Sequence, residues 1–135
     1  MFHKNITLSL LFILLPTTAL AADWEKIAGS ASAQPFYVDM SSIKDNPQQK
    51  NLKHFIGKFN LTITLPQGNT EGSIIGNFTL DCAKKAIRTD SAKVYDEFDG
   101  QGELLGEEPS EEGFAPLNDA IRAKDLLGKV CRINI

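Results

Sequence analysis

From His54 to Leu65 the chain alternates strictly: Phe55, Gly57, Phe59, Leu61, Ile63 and Leu65 fall on one side, and His54, Lys58, Asn60, Thr62 and Thr64 on the other. A period of two sends successive side chains to opposite faces, which predicts a long half-buried strand. Pro66-Gln67-Gly68-Asn69 supplies turn chemistry, and the next run repeats the pattern with Ile74, Gly76, Phe78, Leu80 and Cys82 on one face. The two runs predict a hairpin in which Cys82 points inward.

Shorter elements surround this hairpin. Phe36-Tyr37-Val38 predicts a short strand, followed by Ser41-Ser42-Ile43 and a polar loop from Lys44 to Asn51 around Asp45-Asn46-Pro47. Lys85 to Arg88 and Lys93 to Phe98 predict two strands around a turn at Thr89-Asp90-Ser91, and Asp99-Gly100 makes a tight turn before Glu103-Leu104-Leu105. Glu107 to Gly113, with Pro109, is expected to be a loop, and the small residues from Ala28 to Ala33 a turn or flexible connection.

One helix is expected, from Pro116 to Leu127, with Leu117, Ala120, Ile121 and Lys124 sharing a face. Proline suits a first helical turn and Gly128 is placed to end the helix. Val130 to Ile135 alternates again and reads as a last strand, with Cys131 inward. Strands that follow one another through short turns make an antiparallel sheet, so the fold class is α+β: roughly six strands packed against one C-terminal helix.

The N-terminus sets the compartment. Lys4 precedes an apolar run from Leu8 to Leu15, and Ala19-Leu20-Ala21 has the small-x-small form that a signal peptidase accepts. Residues 1–21 are therefore expected to be a signal peptide cleaved between Ala21 and Ala22, leaving residues 22–135 as one domain. The apolar run is too short to span a bilayer. No cysteine lies near the cleavage point, so no lipid attachment is expected.

Export changes the meaning of the cysteines. Cys82 and Cys131 are the only two, and an even pair in an oxidising compartment reads as a disulfide. Closing a loop of roughly fifty residues stabilises a small fold by ~4 kcal/mol in the chain-entropy model. Residues 1–21 hold Lys4 and no acid, so the mature chain carries 13 basic against 17 acidic residues. That balance argues against nucleic acid as a partner.

Candidate chemistry is sparse. His54 is the single histidine of the mature chain, so an imidazole-based metal site lacks its second ligand. A small hydrolase using His54 with an acidic neighbour is the enzymatic alternative, but no Gly-x-Ser-x-Gly turn accompanies it. Asp96, Glu97, Asp99, Glu103, Glu107, Glu108, Glu111 and Glu112 form an acidic cluster. Aligning Gly100 with the glycine of an EF-hand loop puts Tyr95 first and Gly106 last, where carboxylates are required, so a solvated acidic hairpin is expected and not a calcium site. Asn60-Leu61-Thr62 and Asn77-Phe78-Thr79 match a glycosylation acceptor but sit where strands simply need outward polar residues. Trp24 and Tyr37 are expected in the core or at a sheet edge. No catalytic, cofactor or metal residues are assigned. The sequence reads as a binding protein or as a structural subunit of an envelope assembly.

The ordered motifs resemble a known family. Asp23-Trp24, Phe36-Tyr37-Val38-Asp39 followed by Ser41-Ser42-Ile43, Asp81-Cys82, Tyr95 before a turn closing at Gly102, and the last cysteine Cys131 look like the surface-adhesin protein E family of Gram-negative bacteria. The resemblance implies a six-stranded antiparallel sheet with a C-terminal helix tied by the cysteine pair. It also implies an exported adhesin-like role in the periplasm, in the medium or at the cell surface. Implied partners are host matrix proteins such as laminin and vitronectin, an envelope component, or a second copy in a homodimer. The lipid-bearing cysteine of the family's outer-membrane lipoproteins is absent from this chain.

Overall fold

The computed structural model describes residues 21–29 and 35–132; residues 1–20 of the expected signal peptide, most of the expected turn or connection from Ala28 to Ala33, and the end of the expected last strand, residues 133–135, lie outside them. Seven antiparallel strands form one sheet: β1 (Trp24–Ile27), β2 (Phe36–Asp45), β3 (Leu52–Leu65), β4 (Gly68–Asp81), β5 (Ala86–Tyr95), β6 (Leu104–Glu108) and β7 (Ala115–Pro116). Strands β1 to β6 lie side by side in chain order, and β7 pairs with the free end of β5. The predicted hairpin is β3–β4, in register from Leu65 opposite Gly68 to Leu52 opposite Asp81, with Pro66-Gln67 as its connection.

The predicted face is the core. Phe36 and Phe59 stack with ring centroids 4.4 Å apart, Phe55 and Phe78 stack at 5.5 Å, and Phe36 meets Phe78 edge-on at 5.7 Å. Gly57 lies beneath these rings, where a Cβ would come within 2.6 Å of Phe36 and 2.8 Å of Phe78. Its missing side chain lets rings from three strands converge.

Helix α1 (Ala120–Leu126) covers this face and runs into a π-turn over Leu127–Cys131. The helix begins later than the proline signal suggests. Pro116 pairs with Ala86 in β7, the Leu117 N–H donates to the Lys85 carbonyl at 3.1 Å, and Asp119 caps the helix by accepting from the N–H groups of Ile121 and Arg122. The apolar stripe also shifts: Leu126, Leu127 and Val130 are buried while Ile121 is 59% exposed. Gly128 does not end the helix; the chain turns at Arg132, with φ 56°. Cys131 therefore sits in a helical turn and not in a strand, and it still reaches Cys82, to which it is disulfide-bonded with Cα atoms 5.9 Å apart.

Trp24–Ile27 is a strand that four residues carry too little pattern to announce. Two further expectations are corrected. Thr89-Asp90-Ser91 is not a turn: β5 runs through it, and Asp90 is the extra residue of a bulge between the pairs Phe78–Thr89 and Asn77–Ser91. Glu107 and Glu108 belong to β6 and not to the following loop.

Candidate functional site

The second face of the sheet, away from α1, carries the polar side chains of β3 and β4, and it is less open than alternation implies. Lys58 is the clearest case. Its side chain is only 7% exposed and its ammonium lies 4.4 Å from the Trp24 ring centroid and 4.9 Å from that of Tyr37. Strand order explains this: Tyr37 is directly opposite Lys58 on β2, and Trp24 stands opposite Asp39 on β1. The rings offer the negative faces of their π-systems, which stabilise a desolvated cation.

The remaining charge on Lys58 is met by Asp99, 2.7 Å away. Asp99 belongs to a 3-10 turn, Phe98–Gly100, that folds back over the sheet and holds φ 62° at this residue. Aspartate tolerates this left-handed conformation better than most residues. Asn60 fixes it from below, donating to the Asp99 carboxylate and accepting from its N–H, both at 3.0 Å. The hydrogen bond from Lys58, then that from Asn60, hold the Asp99 carboxyl below the usual carboxylate range. Ser73, fully buried, ties the turn down further by donating to the Glu97 carbonyl and accepting from the Gly100 N–H, both at 2.7 Å.

At the other end of this face His54 joins a closed network. Thr79, fully buried, donates to Asp90 at 2.5 Å, so its oxygen accepts from His54 Nδ1 at 2.8 Å. Asn46 Oδ1 accepts from the N–H groups of Gln48 and Gln49, which turns its amide NH2 towards His54 Nε2 at 3.2 Å. Arg88 completes the set by donating to Asp90 at 2.7 Å. A groove of about 530 Å³ lies alongside, lined by Ser41, Ser42, Lys44, His54, Asn77 and Asp90 among others.

This arrangement supplies no activated nucleophile. A general base needs a free lone pair within reach of the hydroxyl it deprotonates. His54 Nε2 already accepts from Asn46, and Thr79 gives its proton to a carboxylate. Ser41 donates to the Asp39 carboxylate and Ser42 to the Asp39 carbonyl, both at 2.6 Å, while Ser42 also accepts from the Ile56 N–H. In that last pair Ser42 replaces a ladder contact in the irregular stretch of β2 between Asp39 and Lys44.

The acidic cluster divides in two. Asp96 and Asp99 hold the turn over the sheet, Asp96 by accepting from the Glu103 N–H at 2.7 Å. Glu103, Glu107 and Glu108 flank or occupy β6, where Leu104 and Leu105 are 46% and 40% exposed. The side of β6 away from β5 pairs with no described strand. Among the described residues no group of three or more His, Cys, Asp or Glu side chains is arranged to hold a metal ion.

The family profile of surface-adhesin protein E matches residues 24–132, from the first strand to the residue after the last cysteine. The chain belongs to the surface-adhesin protein E family. Three solved structures of Haemophilus influenzae protein E share the fold. One superposes with a TM-score of 0.59 at 22% identity, covering 79% of this chain and 83% of that one. A second crystal form gives 0.60 at 22% identity over 79% and 87%, and a selenomethionine form gives 0.63 at 20% identity over 90% and 95%. No curated protein sequence gives a significant match. No helix among the described residues is long and apolar enough to cross a membrane.

Family membership was legible in the motif order, but the roles of Trp24, Tyr37 and Lys58 were not. An isolated lysine on the polar side of a strand looks solvated until the strands beside it are placed. The available signal was the recurrence of Trp, Tyr and Lys at positions that strand pairing makes neighbours.

Proposed function

We propose that this chain is an exported, non-catalytic binding protein that captures protein partners along the outer edge of β6. The observation that carries the reading is that edge: backbone groups that pair with no described strand, two exposed leucines on alternate faces, and Glu103, Glu107 and Glu108 around them. An unprotected edge strand is a template for an added strand, with main-chain hydrogen bonds giving affinity and side-chain pockets giving selectivity. The surrounding carboxylates select an extended partner segment that is apolar and basic, and they speed its approach at low salt.

Family membership supports a host matrix protein as that partner, and the small-x-small pattern at Ala19-Leu20-Ala21 supports export with cleavage between Ala21 and Ala22. The opposite edge fits the role less well. Strand β1 carries Glu25 and Lys26, and the C-terminal helical segment ties it down: Asp125 accepts from the Ala28 N–H at 2.7 Å, and Lys129 donates to the Lys26 carbonyl at 3.0 Å.

The test is surface plasmon resonance of residues 22–135 on immobilised laminin and vitronectin, beside the variant Leu104→Lys/Leu105→Lys. The expected result is saturable binding that weakens as salt rises and falls at least ~tenfold in the variant, the scale of a lost anchor residue. Equal binding by a variant that keeps its thermal stability would remove β6 as the site. Absence of binding, with the protein pulled down together with an envelope component from a protease-protected pool, would favour the assembly-subunit role. Dimers lost in the variant would assign the edge to a second copy.

A further inference from the structure

A cavity of about 240 Å³ lies between the aromatic face of the sheet and α1, away from the β6 edge. Its apolar wall is formed by Phe36, Phe59, Phe78, Leu117 and Leu126, and Arg122 and Glu111 are its charged lining residues. Arg122 is the exception in an otherwise satisfied interior. Its Nε is the one buried side-chain polar atom among the described residues with no hydrogen-bond partner, and no described carboxylate lies within ion-pair distance of its guanidinium. The guanidinium packs against Gly29, where a Cβ would stand 3.2 Å from Nε.

A buried donor on a permanently charged group is costly to leave unpaired, and arginine presents a planar fork that matches a carboxylate. Glu111 does not meet this need; its carboxylate accepts instead from the Thr89 N–H at 3.5 Å. An apolar chamber with a single unanswered cation in its lining selects an amphiphile with one anionic end. We infer that this cavity binds a small carboxylate with an apolar body, its hydrocarbon among the phenylalanines and its carboxylate on Arg122. The volume is below that usual for drug-sized ligands, so the body is on the order of ten heavy atoms, as in a medium-chain fatty acid or an aryl-propionate.

The experiment titrates residues 22–135 with octanoate and with 3-phenylpropionate, and with octanol as the uncharged control, following amide chemical shifts by NMR. The expected result is saturation with Kd about 0.1–1 mM for the carboxylates, with shifts centred on α1 and the adjoining part of β5. Binding of octanol is expected to be at least ~tenfold weaker, and Arg122→Gln should bring the carboxylates to the same level. Arg122 is only partly buried as a residue although its Nε is covered, so Arg122→Gln is expected to fold. Leu117→Trp, which fills the chamber and keeps the arginine, should abolish binding of all three. No shifts at 10 mM carboxylate, or carboxylate affinity unchanged in folded Arg122→Gln, would overturn the inference. So would shifts confined to β6.

Discussion

The two faces of this sheet are held by different forces. On the α1 side, four phenylalanine rings interlock above Gly57, and the energy resides in excluded water and filled volume. On the other side a lysine is clasped by two rings and a carboxylate, and a histidine, a threonine, an aspartate and an arginine satisfy one another. The first face should respond to changes of shape and ignore acid; the second should tolerate changes of shape and respond to lost charge.

The largest effect is expected at the centre of the aromatic face. Phe78→Ala removes the ring that touches Phe36, Phe55 and Phe59 and should cost about 3–5 kcal/mol in urea unfolding. A loss below ~1 kcal/mol would mean that the rings are not a mutually dependent cluster. Cys82→Ser/Cys131→Ser, which frees the helical cover of the same face, is expected to lose up to ~4 kcal/mol, with the strand signal in circular dichroism retained at low temperature.

The polar face should show an asymmetry. Asp99→Asn strands a buried ammonium between Trp24 and Tyr37; because Asp99 is itself 59% exposed, the expected loss is reduced to ~1–2 kcal/mol. Lys58→Met removes the charge along with the need for a counter-charge, and should lose less than Asp99→Asn in the same melts. The reverse order would mean that the lysine charge is itself a net source of stability.

The smallest effect is in the acid limb. Asp99 is held below its ordinary value by Lys58 and then Asn60. For Asp81, burial opposes ionisation but is outweighed by the N–H groups of Lys84 and Ala83 and the Asn51 amide. For Asp125, burial is outweighed by the Ala28 N–H and Lys129. Below the unfolded value of about 4 the unfolded chain takes up protons first, so stability is full above that pH and falls as pH drops through the folded values. In Asp99→Asn this fall should be shallower than in the parent, whereas Phe78→Ala should shift the whole curve down without changing its slope.

The aromatic face was legible because it obeys a period of two over two long strands, and no tertiary knowledge is needed to place Phe55, Phe59 and Phe78 together. The polar face was not, because its meaning comes from register. Lys58 and Thr79 read as outward polar positions, and only the pairing of β3 with β2, and the bulge at Asp90 on β5, give them partners. The C-terminal segment misled for a local reason. Pro116 and Gly128 are common helix boundaries, but here Asp119 supplies the stronger start, and α-helix passes into a π-turn through the glycine. The cysteine pair survived that error because it depends on compartment and count, not on the element that carries Cys131.

The strand order has a kinetic meaning as well. Each of the first five strands pairs with its immediate successor, so the meander is built from contacts near in sequence, the kind that form early. The bonds that join β1 and the residue after it to the C-terminal helical segment span 97 and 103 residues, and Cys131 follows every strand of the sheet. A chain threaded N-terminus first can thus assemble its sheet before its last cysteine emerges. In that order oxidation would lock a body already formed and would not choose among unfolded alternatives, and two cysteines leave no wrong pairing between them for an isomerase to correct.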